Sequence, residues 1–190
     1  MSLRLVILAG GLGSRHGGNK PFTSFGGSTL IETVLDRLAP QVSEIAIGAG
    51  AYGSPLQKRL EALGRPLIFD RNFPGLGPLS GILSALEYAE TVGEAAILTV
   101  PCDMPELPFD LVDRLRLAPQ RPVVHFQGQR DYPLCALWQV SLRPALTEAL
   151  RAAQPLGGLA VMRFLSTQSV TQIPVRNEQD FININRPSQT

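Results

Sequence analysis

The chain has 190 residues, of which 44% are hydrophobic and 17% charged, and its formal net charge is +1. This balance fits one globular domain with a full hydrophobic core and excludes an intrinsically disordered chain. The sequence has no basic run interleaved with aromatic residues, which excludes nucleic acid as a partner. An anionic substrate therefore has to be met by a local cluster of donors.

The hydrophobic pattern alternates strands and helices through the first two thirds of the chain. Short apolar runs predict buried strands, and apolar residues at helical spacing predict amphipathic helices, the first of them capped by Ser28. In chain order the predictions are strand 3–8, helix 29–38, strand 44–48, helix 55–63, strand 67–69, helix 79–89, strand 95–100 and helix 108–115. This alternation predicts an α/β fold, a single Rossmann-like domain with a mostly parallel sheet flanked by helices.

The remainder of the chain is less regular and looks like an elaboration on the substrate side, after about Pro119. Gly128 and Gln129 are expected to turn between two strands of a hairpin. The predicted elements here are strands 123–126 and 133–138, helices 141–151 and 158–165, and a last strand 170–175.

The two cysteines and the N-terminal stretch indicate the cellular compartment of the protein. Cys102 and Cys135 lie far apart in apolar runs without metal-ligand spacing, so we expect buried, reduced thiols. Residues 1–10 are too short to span a bilayer, and no small-residue cleavage site follows a longer apolar region. We therefore expect a cytoplasmic protein that does not contact the membrane.

A glycine-rich loop, Gly10 to Lys20, follows the first predicted strand. Glycines permit positive φ angles, and successive free N–H groups in such a turn form a concave nest for phosphate oxygens. Arg15 and Lys20 add positive charge at the same place. We interpret the loop as a phosphate-binding loop for a nucleoside triphosphate; the alternative is a flexible surface loop with two solvated cations.

Two better-known phosphate-binding loops do not fit this segment. A Walker loop requires Gly-Lys followed by Ser or Thr, whereas Lys20 lies between Asn19 and Pro21. The dinucleotide fingerprint requires a third glycine where His16 stands.

Two aspartates follow predicted strands, Asp70 after the third strand and Asp103 after the fourth. The C-terminal ends of strands in open α/β sheets point at the ligand, and magnesium prefers one or two carboxylates plus waters. We assign Mg²⁺ to Asp103 and place Asp70 second; the alternative for both is a turn or cap aspartate.

The ordered motifs of the chain resemble the molybdenum cofactor guanylyltransferases, a family within the wider nucleotidyltransferase superfamily. The matching segments are Leu8-Ala9-Gly10-Gly11 with Arg15, Gly17 and Lys20, then 77–81, 101–105, 133–137 and 181–185. The glycine loop alone marks the superfamily, and the ordered set marks the family.

The resemblance implies a fold of the nucleotide-diphospho-sugar transferase type and the transfer of GMP from Mg-GTP to the terminal phosphate of molybdopterin, with release of pyrophosphate. It implies molybdopterin or the molybdenum cofactor as acceptor, and cofactor-biosynthesis or molybdoenzyme-maturation proteins as further partners. It implies a nucleotide-binding part at 1–118 and an acceptor-side part at 119–190 of one domain.

The resemblance also assigns roles to individual residues. It places the nucleotide at Leu8, Ala9, Gly10, Gly11, Arg15, Lys20, Asp70 and Asp103, with Arg15, Lys20 and Asp103 as the catalytic set. It places Asn183 and Asn185 on the acceptor side, where alternation with isoleucines would turn both amides to one side of an extended segment. Plain strand amphipathicity explains the same alternation.

The chain departs from the family pattern at four positions near these motifs. His16 replaces a usual methionine, Asn19 a common aspartate, Gly48 an expected nucleotide-contacting asparagine, and Tyr132 a frequent histidine. The Leu-Ala-Gly-Gly turn accompanies guanylyl transfer, and we expect Gly10 to leave room for a purine, so GTP should be preferred over CTP. The alternatives are a cytidylyltransferase, a sugar-phosphate nucleotidyltransferase and a non-catalytic nucleotide-binding protein.

Overall fold

A seven-stranded sheet runs through the whole protein in a computed structural model that describes residues 3–11 and 19–184. The first part of the chain contains β1 Arg4–Leu8, β2 Ser24–Phe25, β3 Ser28–Thr29, α1 Leu30–Leu38, β4 Glu44–Gly50, α2 Gln57–Glu61, β5 Leu67–Phe69, α3 Pro78–Thr91, β6 Ala96–Pro101 and α4 Leu111–Leu117. Its second part contains β7 Val123–Gln127, β8 Asp131–Gln139, α5 Arg143–Ala153, α6 Val161–Leu165 and β9 Val170–Pro174.

The strand order is β5-β4-β1-β6-β8-β7-β9, and β2 and β3 form a separate small hairpin. β8 pairs antiparallel with both β6 and β7, whereas the other neighbours in the large sheet pair in parallel. The predicted α/β domain with a mostly parallel sheet is therefore confirmed.

Helices cover both faces of the sheet, which explains why its central strands are continuously apolar. In β1, Leu5 and Ile7 belong to the hydrophobic cluster that also contains side chains of α1, α2 and α4. Val6, between them, belongs to the cluster that contains side chains of α3, α5 and α6. Successive strand residues point to opposite faces, so each apolar run contributes to two cores.

The first helix is capped one residue later than predicted. Thr29, not Ser28, is the N-cap: its side chain accepts from the Glu32 amide, and the Glu32 carboxylate accepts from the Thr29 amide. Ser28 lies in β3 and donates its hydroxyl to Glu32 at 3.1 Å. The sequence held the signal for this choice, because a glutamate stands three residues after Thr29, as a capping box requires, and an isoleucine stands three residues after Ser28.

Other predicted boundaries shift without changing the element order. α2 and α6 are only five residues long, shorter than predicted, and α4 and α5 begin later. β4 continues to Gly50, two residues past its predicted end. The β7–β8 hairpin is confirmed, with the Gly128 amide donating to the Arg130 carbonyl at 2.9 Å across its turn.

None of the helices in the described ranges is long and apolar enough to cross a membrane.

Candidate nucleotide-binding site

A cavity of about 420 Å³ lies at the C-terminal ends of β1, β4, β5 and β6. These four strands are parallel, so their loops open on one edge of the sheet, where α/β proteins bind ligands. The lining residues come from these loops, from the start of α3 and from β8: Leu8, Ala9, Gly10, Gly11, Lys20, Pro21, Gly48, Gly50, Ala51, Asp70, Gly75, Gly77, Pro78, Gly81, Pro101, Cys102, Asp103 and Leu134.

The end of β1 is tied to both neighbouring strands. The Leu8 carbonyl accepts from the Cys102 amide at 3.2 Å, and the Ala9 amide donates to the Gly48 carbonyl at 2.9 Å. The Leu8 carbonyl and the Ala9 amide are therefore already hydrogen-bonded to neighbouring strands. Backbone amides for a phosphate have to come from Gly10 onward, where the chain leaves the strand.

Gly10 allows the backbones of β1 and β4 to approach closely. A Cβ atom on Gly10 would lie 2.0 Å from the Gly50 amide nitrogen, and one on Gly50 would lie 2.6 Å from the Gly10 carbonyl oxygen. Gly50 also has a φ of 71°, which favours glycine. The expectation that Gly10 leaves room for a purine is wrong, because the missing methyl group would point at β4.

An ion pair joins the glycine loop to the end of β6. Lys20 opens a short 3-10 turn, Lys20–Phe22, and its Nζ donates to Asp103 Oδ2. The two side chains are 20% and 12% exposed, so the pair is largely screened from water. The other carboxylate oxygen, Asp103 Oδ1, is buried and has no hydrogen-bond partner among the described residues.

This orphaned carboxylate oxygen fits a magnesium ion. Mg²⁺ binds oxygen ligands and commonly uses one or two protein carboxylates together with substrate phosphates and water. Within ranges 3–11 and 19–184, no group of three His, Cys, Asp or Glu side chains converges as a metal cage. Asp103 therefore suits a metal that arrives with a triphosphate.

Asp70 lies across the cavity, after β5. Its amide donates to the Gly50 carbonyl at 2.8 Å, and its Oδ1 accepts from the Ser84 hydroxyl at 3.2 Å. Burial raises the pKa of the Asp70 carboxyl, the Ser84 hydrogen bond opposes that rise, and the nearby charge of Glu87 adds to it. The side chain is thus a carboxyl whose charge is disfavoured by its surroundings.

The cysteines are buried free thiols, as predicted. Burial, with smaller contributions from nearby charges, raises the pKa of Cys102 to about 12, and burial also raises the pKa of Cys135. Neither thiol is available as a thiolate near neutral pH.

The C-terminal segment reaches the same edge of the sheet. The Ile184 amide donates to the Asp103 carbonyl at 2.9 Å, which brings Asn183 close to the end of β6. Asn183 Oδ1 is buried without a hydrogen-bond partner in the described part of the chain.

The structure brings together most residues that the sequence singled out. Leu8, Ala9, Gly10, Gly11, Lys20, Asp70 and Asp103 line one cavity, and Asn183 lies beside it. Arg15, His16 and Asn185 lie outside the described residues.

Of the three departures that the structure describes, Gly48 lines the cavity and Asn19 and Tyr132 do not. Asn19 accepts from Arg59 on α2 at 2.5 Å, and Tyr132 donates to Glu178. Sequence reasoning gave no role to Gly50, Ala51, Ser84 or Glu178, although the glycine pair at 48 and 50 was a visible signal at a strand end.

An open parallel sheet with a glycine loop and two carboxylates at its carboxyl edge defines a nucleotide-binding α/β protein of the Rossmann-like type. A family model described as "MobA-like NTP transferase domain" matches residues 5–170. The chain belongs to this family.

Curated relatives and solved structures extend the likeness over the whole chain. A molybdenum cofactor guanylyltransferase of Cereibacter sphaeroides is 39% identical over 189 residues, covering 98% of this chain and 93% of the relative. A molybdopterin-guanine dinucleotide biosynthesis protein A of Archaeoglobus fulgidus has the same fold, with a TM-score of 0.75 at 23% identity, covering 97% and 93% of the two chains. A Mycobacterium tuberculosis protein solved in complex with manganese shares the fold at a TM-score of 0.65 and 13% identity, covering 92% and 89%.

Proposed function

We propose that this chain is a nucleotidyltransferase that moves GMP from GTP to the terminal phosphate of molybdopterin and releases pyrophosphate. The family and the names of the full-length relatives support this reaction. The observation that carries it is the Lys20–Asp103 pair at the cavity, where one carboxylate oxygen is held and the other is buried without a partner among residues 3–11 and 19–184.

The chemistry requires positioning and charge neutralisation. An oxygen of the acceptor phosphate attacks the α-phosphorus of GTP, a new P–O–P bond forms, and the bond to the β-phosphate breaks to release pyrophosphate. Because the attacking group is already an anionic phosphate, no strong general base is needed. Gly10 and Gly11 would offer backbone amides to the triphosphate, and Lys20 and Arg15 would offset its charge.

Asp103 would hold Mg²⁺ through the buried Oδ1 atom, while Lys20 keeps Oδ2 in place. The ion, when bound, would neutralise phosphate oxygens. Because an ammonium group has three N–H donors, Lys20 would contact the triphosphate while it still holds the Asp103 carboxylate.

We assign the nucleotide to residues 1–118 and the acceptor to residues 119–190. Every lining residue of the cavity except Leu134 comes from the first part, which supports the nucleotide assignment. Asn183, beside Asp103, supports the acceptor assignment, with Asn185 two residues further on.

Pyrophosphate release with each of the four nucleoside triphosphates, measured with molybdopterin, with a sugar phosphate and without an acceptor, tests the proposal. We expect release to require GTP, Mg²⁺ and molybdopterin together. Release with a sugar phosphate, or with CTP at the same kcat/KM, would favour the alternative transferases. Triphosphate binding without any release would favour a non-catalytic binding protein.

Gly48 is the place to test base preference. A Cβ atom at this position would meet the Leu8 and Val6 side chains at 3.5 Å, an ordinary contact distance, so a side chain can leave the backbone here without a clash. We expect wild type to prefer GTP over CTP and Gly48→Asn to widen that preference by about three- to tenfold, the value of one hydrogen bond. Competition between the two nucleotides in the presence of Mg²⁺ measures both preferences, with Gly48→Ala as the control.

A further inference from the structure

The segment that carries Asn183 is held by its neighbours rather than by a sheet. Residues 182–184 belong to neither a strand nor a helix, and the backbone bond from Ile184 to Asp103 joins the segment to the cavity edge. The position of Asn183 therefore depends on what fixes the chain just before it.

Phe181 is the first of these fixed points. Its side chain is 1% exposed, and its ring centroid lies 5.0 Å from that of Phe126 and 4.8 Å from that of Tyr132. Both partners belong to the β7–β8 hairpin, so the segment is anchored on that hairpin.

Glu178 is the second fixed point, at the start of a 3-10 turn, Glu178–Phe181. Its Oε2 accepts from the Tyr132 hydroxyl at 2.5 Å, and its Oε1 accepts from the Gln129 amide at 2.6 Å. A Cβ atom on Gly128 would lie 1.9 Å from Glu178 Oε1, so the glycine at the hairpin turn leaves the space that the carboxylate occupies. Both hydrogen bonds lower the pKa of Glu178, as expected for a carboxylate that they stabilise.

We propose that Tyr132 and Glu178 form a latch that positions Asn183 for the acceptor, by fixing the C-terminal segment to the β7–β8 hairpin. The inference rests on the proposed acceptor assignment and adds two positioning residues to it. Neither residue lines the nucleotide cavity, so we expect loss of the latch to weaken use of the acceptor more than binding of GTP. A merely structural role would instead lower stability and affect both substrates alike.

Tyr132→Phe tests the latch, because it removes the hydroxyl and keeps the ring that packs on Phe181. Tyr88→Phe is the matched control, since its hydroxyl accepts from Arg4 at 3.4 Å near the opposite edge of the sheet. The measurements are the KM for molybdopterin, the Kd for Mg-GTP, the melting temperature and the hydrogen-exchange rate of the Ile184 amide.

We expect Tyr132→Phe to raise the molybdopterin KM about tenfold, from loss of a hydrogen bond to a charged group, and to speed exchange at Ile184. Mg-GTP affinity and melting temperature should stay near wild type, and Tyr88→Phe should change none of the KM, Kd and exchange values. Adding Glu178→Ala to Tyr132→Phe should raise the KM little beyond Glu178→Ala alone, because both remove the same contact.

An unchanged acceptor KM in Tyr132→Phe would overturn the latch, whether or not Ile184 exchanges faster. Equal losses for GTP and molybdopterin would overturn it too, in favour of a structural role. Failure of the proposed function is seen separately, because wild type itself would then not use molybdopterin.

Discussion

The two oxygens of the Asp103 carboxylate lie in different surroundings, and this difference decides what a substitution should do. Lys20 holds Oδ2, whereas Oδ1 is buried and unpartnered within the described ranges. The proximity of the two residues was not predictable from their spacing, because 83 positions separate them. What the sequence did predict was that each follows a strand of a parallel sheet, and this is why both reach one cavity.

We expect Asp103→Asn to fold normally and lose about 100-fold or more of its activity, because a neutral amide binds magnesium poorly. The rate of pyrophosphate release across a magnesium titration measures the loss. Asp113→Asn is the control, since Asp113 is exposed on α4 and pairs with Arg116 at the surface. Wild-type turnover by Asp103→Asn at ordinary magnesium would remove Asp103 from the metal site.

Asp70 carries a stability prediction with a defined pH dependence. Burial raises the pKa of the Asp70 carboxyl in the folded state above its ordinary value of 3.8, so the ionised form is disfavoured there. The folded state is therefore most stable with respect to Asp70 when this carboxyl is protonated. This contribution to stability is fully present below pH 3.8 and is lost as pH rises through the pKa of Asp70 in the folded state.

We therefore expect Asp70→Asn to raise the melting temperature at pH 7, since asparagine can keep the Ser84 hydrogen bond without a charge. The gain should vanish below about pH 3.8, where the carboxyl is neutral in both states. Thermal melts from pH 3 to 8 measure it, with Glu87→Gln expected to give a smaller gain of the same sign. A variant that is less stable than wild type at pH 7 would contradict the burial argument.

At the scale of the elements, β1 and β4 are held in unusually close approach beyond their regular pairing. Gly10 faces Gly50 so closely that neither position has room for a Cβ atom. The neighbouring Gly11 also lines the cavity, yet a Cβ there would meet no atom within 4 Å in the described part of the chain.

We expect Gly10→Ala to destabilise the fold by about 3 kcal/mol or more, because backbone on both strands would have to separate. Gly11→Ala should change the free energy of unfolding by less than about 0.5 kcal/mol, as an open surface position does. Chemical denaturation of the two variants compares them directly. Similar free energies of unfolding for the two variants would mean that β1 and β4 can move apart without loss of stability.

The elements that the sequence predicted well are those whose residue pattern is decided locally. β1 and β6 are apolar runs buried on both faces, and their positions were predicted within a residue. The short helices α2 and α6 were predicted too long, because apolar residues continue past α2 on both sides and also precede α6. The pairing of β8 with β6 and the anchoring of the C-terminal segment depend on contacts between distant residues, which no local pattern records.

At the scale of the whole molecule, the nucleotide part and the acceptor part share one sheet. β8 pairs with β6 in antiparallel register, and Trp138 on β8 donates its indole N–H to the Thr99 hydroxyl of β6 at 2.8 Å. Thr99 donates in turn to the Leu134 carbonyl at 2.8 Å. A hydrogen-bonded chain thus crosses the junction between the proposed parts, and both hydrophobic clusters contain residues from either side of it.

This shared sheet predicts that the two parts unfold together and that a ligand of one stabilises the other. Trp138 is the chain's single tryptophan and is fully buried in the second part, so its fluorescence reports that part, while far-UV circular dichroism reports the whole. We expect one transition with the same midpoint by both probes.

Mg-GTP at about 100 times its Kd should raise the free energy of unfolding that each probe reports by about 2.7 kcal/mol. Lys20→Ala should lose most of the shift at the same concentration. A circular dichroism midpoint that moves while the fluorescence midpoint stays in place would show that the parts unfold independently.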